Sequence, residues 1–439
     1  MNINILRGYD DVLKTYTLLD YAKLANPLFG AIGSGYSTFN EKPYTISNLK
    51  SRFTSYFGLF NYSFNDKYML DASIRKDKSS LFASEVSAQN KPVYSIGGKW
   101  LITKEHFMNQ VNWLNDLGLR ATYGVTGNSP YVGAGSTYDI LSVNENSITG
   151  NSLSVGTPAN NKLSWESTHT INLGVDFAVL NRRLSGSIDL YHKKTTDLLG
   201  QVNYNPFTGY TTTTGNIGDI RNKGIELSLH SLNMTVADFS WSSGFIFSYN
   251  INKLLSYSIP SQFQLSASST IQSNYQIGYA SPSMFAYHYA GLDNLGDPQI
   301  ELANGKITKN PNAATAADLV YVGTTIPKFN GGLTNTFRYK GLSLSANIVY
   351  NLGAVMRKQV TANFSGTSLI SATSFSSGNI LADFADRWQK PGDENTTSVP
   401  SYVANQGTSY SRRNLDYYTY ADINVISASY IKLRDITLS

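Results

Sequence analysis

The sequence predicts an all-β fold, an antiparallel transmembrane β-barrel, on three observations. Apolar and polar residues alternate through stretches of about ten residues, close to the ~9–11 that a tilted strand needs to cross a bilayer. Tyr and Phe gather near the ends of these stretches, where aromatic girdles sit. Connections alternate between short turns and long loops, as periplasmic turns and outer loops do in membrane barrels. A soluble sandwich also has alternating strands, but it has no reason to put every long loop at one end.

In chain order, residues 1–50 read as an irregular outer loop, broken by Asn26-Pro27, Gly30, Gly33, Gly35 and Pro43. Strands are expected near 51–64, 67–77, 92–102, 117–126, 166–180, 183–196, 222–234, 238–250, 329–340, 341–353 and 428–438. The second is the clearest: Tyr68, Leu70, Ala72 and Ile74 share one face, opposite Lys67, Asp71, Ser73 and Arg75. Before it, Tyr56, Phe60, Tyr62 and Phe64 share a face, and Asn65-Asp66 reads as a two-residue hairpin turn. Ile171, Leu173, Val175, Phe177 and Val179 form another apolar row, as do Phe239, Trp241, Phe245, Phe247 and Tyr249. Leu342, Leu344, Ala346, Ile348 and Tyr350 form a third. These rows are almost free of Lys and Arg, each of which would cost roughly 2–4 kcal/mol at mid-bilayer.

Short connections lie at Asn65-Asp66, Leu180–Arg182, Met234–Ala237 and Tyr339–Gly341. Long ones lie near 78–91, 127–165, 197–221, 251–328 and 354–427, and the exception, 104–116, reads as a helical turn on the periplasmic side. The polar patches Thr211–Thr214, Ser266–Thr270 and Ser371–Ser377 fall in the long connections and read as solvated.

Composition fits a surface that meets lipid on one side and water on the other. Charged residues are only 15% of the chain, aromatics reach 13%, with 30 Tyr and 20 Phe, and cysteine is absent. Mean hydropathy is near zero, at −0.22, because half of each strand is polar. The net charge of +5 is spread without a basic run, so nucleic acid is not an expected partner. No catalytic motif is present, and no enzyme activity or cofactor is expected. His106, His169, His192, His230 and His288 are scattered and read as polar strand or strand-end residues, so no metal site is assigned. In AGLDNLGDPQ, Asp293, Asn294 and Asp297 have the oxygens for Ca²⁺ but lack a bidentate Glu at EF-hand spacing, and a turn is the plainer reading. The candidate substrate contacts are outer-loop aromatics: Tyr204, Phe207 and Tyr210 in NYNPFTGY, and Tyr287, with Tyr289, in FAYHYAG. Flat rings stack on sugar faces and on peptide side chains; the alternative is packing among loops.

YMLDASIRKDKSSLF followed by KEHFMNQVNWLNDLGLRATYGVTGN resembles the SusC/RagA family of TonB-linked outer-membrane transporters. The resemblance continues through NIGDIRNKGIEL (Asn216–Leu227), AGLDNLGDPQ (Ala290–Gln299), IPKFNGGLTNTFRYKGLSLSANIVY (Ile326–Tyr350) and ASYIKLRDITLS (Ala428–Ser439). Lys78 stands where the family usually has Gly. The resemblance implies part of a 22-stranded plugged barrel in the outer membrane. Residues 1–439 would be a partial barrel domain, roughly strands 10 to 20, with the plug, the early strands and the last strands absent. Such a piece alone is expected to leave two strand edges unpaired. The implied function is TonB-dependent uptake of oligosaccharides or peptides beneath a SusD-like surface lipoprotein, powered by TonB-ExbB-ExbD through the plug. A non-energised binding or adhesion barrel is the second reading.

Overall fold

The computed structural model describes residues 9–18, 44–79, 91–129, 139–144, 150, 152–160, 162–203, 212–257, 266–273, 275–361, 364 and 381–439. Strands are numbered along the chain: β1 (Tyr9–Leu18), β2 (Tyr44–Phe64), β3 (Tyr68–Ser79), β4 (Val93–Leu101), β5 (Leu114–Asn128), β6 (Ile140–Asn144), β7 (Ser152–Thr157), β8 (Glu166–Val179), β9 (Leu184–Asn203) and β10 (Thr212–Val236). They continue with β11 (Phe239–Tyr257), β12 (Ser283–Leu292), β13 (Pro298–Glu301), β14 (Ile307–Thr308), β15 (Leu319–Thr324), β16 (Phe329–Tyr339), β17 (Leu342–Leu352), β18 (Val355–Arg357), β19 (Val425–Ser427) and β20 (Tyr430–Leu438).

Twelve of these form one sheet in the order β1-β2-β3-β4-β5-β8-β9-β10-β11-β16-β17-β20, so each sheet strand pairs with the next one along the chain. All eleven strands expected from sequence are in it. The expectation that residues 1–50 are irregular is corrected for two stretches: Tyr9–Leu18 is a strand, and Tyr44–Phe53 is the outer part of β2 against which it pairs, while residues 1–8 and 19–43 lie outside the described residues.

The tight connections share one end of the sheet and rely on left-handed backbone. Asn65 and Asp66 have φ of 51° and 53°, and Leu180, Asn181 and Arg182 lie at 56–63°. That conformation matches the right-handed twist of a hairpin and is tolerated best by Asn and Asp. Phe64 pairs with Tyr68, so the first connection holds three residues, Asn65 to Lys67, where two were expected. The predicted helical turn is present as two 3₁₀ helices, Ile102–Lys104 and His106–Met108.

Register keeps the faces separate across strands. Leu119, Val175, Ile188 and Leu227 lie in one row, and Ala121, Leu173, Leu190 and Ile225 in the next. Leu70, Ile74, Ile96, Leu173, Leu190 and Leu344 are all exposed. An unpartnered apolar face of this extent is a liability in water and a requirement in lipid. On β10 the apolar row ends where Lys223 pairs with His192 of β9. β10 has 25 residues, roughly 80 Å at about 3.3 Å per residue, so it runs well past a bilayer core of about 30 Å.

The packed core lies outside the sheet. The described residues of connections 258–328 and 353–429 form a dome over the ends of β11, β16, β17 and β20, with a four-stranded sheet in the order β14-β13-β12-β15 and the pair β18-β19. Ala267, Ile271, Phe285, Tyr287, Ile300 and Tyr417 form one of its cores. Val360, Phe364, Val399 and Tyr418 form the other. Ser266–Thr270 was read as solvated, but Ala267–Ser273 is a helix that buries Ala267, Thr270 and Ile271. Thr212–Thr214 belongs to β10, with Thr213 and Thr214 buried.

Candidate functional site

The polar face of the sheet carries a ladder of charges across four strands. Lys99 of β4 donates from Nζ to Asp176 of β8 at 2.9 Å. Arg120 of β5 donates to both Asp176 oxygens at 3.0–3.1 Å, and from Nη2 to Asp189 of β9 at 3.1 Å. Asn172 donates to the other Asp189 oxygen at 3.0 Å. Gly174, opposite Arg120, makes the room: a Cβ there would lie 2.7 Å from both Arg120 Nη2 and Asp189 Oδ1. Two cations meet two anions, so the ladder is a neutral, fork-paired stretch of wall and no magnet for a charged ligand.

Above it, the mouth has a cavity of about 230 Å³ lined by Asn250, Asn252, Tyr279, Tyr321, Thr324 and Lys328 among others. The Tyr279 and Tyr321 rings lie 4.9 Å apart, both partly open to solvent. Asn250 accepts from the Tyr191 hydroxyl at 3.0 Å, and Asn252 braces the Ser281 backbone through both its amide atoms. A ring platform beside amide, hydroxyl and ammonium groups suits a polar oligomeric ligand.

Of the aromatics singled out from sequence, Tyr204, Phe207 and Tyr210 lie outside the described residues. Tyr287 is corrected. It is only 3% exposed, packed edge-on against Tyr417 at 4.9 Å, with its amide donating to the Tyr420 carbonyl. Burial pushes its hydroxyl well above the usual tyrosine range. It is a core residue of the dome, and a ring so covered does not stack on a ligand. Tyr289 spends its hydroxyl on the Ser398 carbonyl at 2.7 Å. Tyr279 and Tyr321 were missed because nothing local marks them; the two rings meet only through the fold.

AGLDNLGDPQ is a turn whose carboxylates face the protein's own cations. Asp297 is fully buried and accepts from Lys309 at 3.0 Å and from Arg412 at 2.7 Å, with Arg413 at 3.4 Å. Lys309 also pairs with Asp293. Burial opposes ionisation of Asp293, yet Lys309 and the amides of Asp297 and Leu295 hold it below the usual carboxylate range. Arg413, also fully buried, donates to the carbonyls of Ser401 and Phe364, and burial draws its guanidinium down to about 10. The oxygens that a cation would need are already engaged.

The sequence matches the family model described as TonB dependent receptor-like, beta-barrel, over residues 3–438. It is 28% identical over 436 residues to a TonB-dependent receptor of Formosa agariphila, covering 92% of this chain and 41% of that relative. It is also 28% identical over 435 residues to the TonB-dependent receptor SusC of Bacteroides thetaiotaomicron, covering 92% and 40%. Among solved structures it resembles the RagAB peptide transporter, with a TM-score of 0.72 at 25% identity over 90% of this chain and 41% of that one. The chain thus spans about two fifths of the length of the curated relatives it matches.

Proposed function

From the premise that the chain belongs to the TonB-dependent receptor-like β-barrel family of the outer membrane, we propose that it forms part of the wall and vestibule of an energised importer. The whole protein takes up oligosaccharides or peptides, draws on TonB-ExbB-ExbD through a plug, and works with a SusD-like lipoprotein over its outer end. It performs no covalent chemistry. The observation that carries this reading is the two-faced sheet: an apolar band for lipid outside, a paired-charge ladder inside, and a folded dome at the outer mouth. Similarity to SusC and to the RagAB peptide transporter supports an oligomeric substrate.

Ligand contact is assigned to the mouth cavity, chiefly Tyr279 and Tyr321 with Asn250, Asn252 and Lys328, and to the NYNPFTGY loop with Tyr204, Phe207 and Tyr210. The test is growth of a deletion strain, complemented with the full-length gene, on defined oligosaccharides and on peptides. Growth on one class that disappears when TonB is removed supports the proposal. Binding without TonB-dependent uptake rejects it in favour of an adhesion barrel. Tyr321→Ala is expected to weaken binding about two- to tenfold, from ~0.5–1.5 kcal/mol for a lost ring partner.

A further inference from the structure

The apolar face of the sheet is not uniformly bulky. Gly98 of β4 pairs with Ala121 of β5, and these two small residues open a groove of about 610 Å³ between Tyr68 and Trp100 at one end and Leu173 and Leu190 at the other. That is the size of a small-molecule site, roughly 300–1,000 Å³, and its lining is overwhelmingly apolar. A Cβ built on Gly98 meets only the Met69 carbonyl oxygen, at 3.9 Å, so nothing from the protein fills the space.

The groove becomes polar only at the end with the short turns. There the 3₁₀ turn between β4 and β5 folds against it. Glu105 accepts from the Tyr68 hydroxyl at 2.7 Å, Trp100 Nε1 at 3.2 Å and Lys67 Nζ at 3.0 Å. Phe107 and Trp113 of the same connection stand 66% and 63% exposed, with Lys104 and His106 exposed beside them. Exposed Phe and Trp next to the Lys104 ammonium at the rim of an apolar band match the chemistry of the headgroup layer.

We propose that this groove and turn hold one glycerophospholipid of the periplasmic leaflet. One acyl chain lies over Gly98 and Ala121, and the phosphate is met at Lys104. Continuity with the lipid-facing band selects a lipid as the occupant, and the position of the polar end selects the leaflet. The inference requires this wall to stand in a membrane and does not depend on what the protein transports.

The test uses the full-length protein in detergent, with phosphatidylglycerol carrying dibrominated acyl chains as a quencher of tryptophan fluorescence. Native mass spectrometry supplies the lipid count. Quenching that saturates at one lipid per protein, largely lost in Trp100→Phe, is expected. Gly98→Leu fills the groove and should weaken retention at least tenfold, while Ala346→Leu on the same face of β17 leaves it unchanged. Linear, unsaturable quenching overturns the proposal, as does equal retention in Gly98→Leu. A doubled mass that Gly98→Leu abolishes would make the occupant a second copy and also overturn it. Heat-modifiable migration checks folding; if Gly98→Leu does not fold, saturation or linearity in the unmodified protein decides.

Discussion

At the scale of single residues, the buried ions of the dome carry the sharpest consequences. Arg413→Ala leaves Asp297 with Lys309 and Arg412 but takes the buried donor from the Ser401 and Phe364 carbonyls, and an orphaned buried acceptor costs about 1–3 kcal/mol. The dome is expected to become protease-sensitive while the sheet stays folded, as read by limited proteolysis of whole cells. Glu105 gives a pH prediction. The Tyr68 hydroxyl first, then Lys67 and Trp100, lower it from 4.5 to about 2. Its folded value is depressed, so its stabilising contribution is present above pH 4.5 and is lost as pH falls toward 2. Order in the 3₁₀ turn should fall across that window, measured by Trp113 fluorescence, and Glu105→Gln should abolish the transition. His288 has the opposite sign. Its hydrogen bond to Asp422, at 2.7 Å, raises it above 6.5, so the link between β12 and the Asp422–Asn424 turn weakens as pH rises past that value. None of these partnerships was legible in the sequence. Asp297 and Arg413 are 116 residues apart, and AGLDNLGDPQ alone shows carboxylates without the cations that answer them.

At the scale of elements, legibility followed the solvent. Away from the turn end, β9, β10 and β11 run well past their expected ends, to Asn203, Thr212 and Tyr257 in place of 196, 222 and 250. At the turn end strands were read to within a few residues, because hydrocarbon tolerates only one kind of side chain on the facing row. Phe247→Arg and Leu344→Arg should therefore impair assembly, at roughly 2–4 kcal/mol each, while Ser248→Arg and Ser345→Arg are tolerated better. Heat-modifiable migration of the four variants measures this, and equal damage on both faces would reject a lipid-facing sheet. Where lipid is absent the pattern dissolves. β1 pairs only with Tyr44–Phe53, beyond the apolar row of β2 that starts at Tyr56. β12 fails for a different reason. Ser283 to Tyr287 are buried on both faces in the dome, so SMFAY runs without a period and was read as loop.

At the scale of the whole molecule, the two ends differ in kind. The turn end is made of connections of two to four residues and the 3₁₀ turn between β4 and β5, and the other carries the dome. Cysteine introduced at Asn310 should be labelled by an impermeant reagent on intact cells expressing the full-length protein, and cysteine at Asn65 or Lys340 should not; the reverse pattern would invert the orientation. The dome is also built from two connections that leave the sheet on either side of one hairpin, β16–β17. The first rises from β11, and the second returns to β20. Because Tyr287 from the first packs on Tyr417 from the second, the dome acts as a strap across four neighbouring staves. Sliding one stave past the next, even by the two-residue step that preserves facing, would tear that strap. This arc of the wall is a plank that tilts or strains as a unit, and any give in the wall's circumference must come from the staves that no strap crosses.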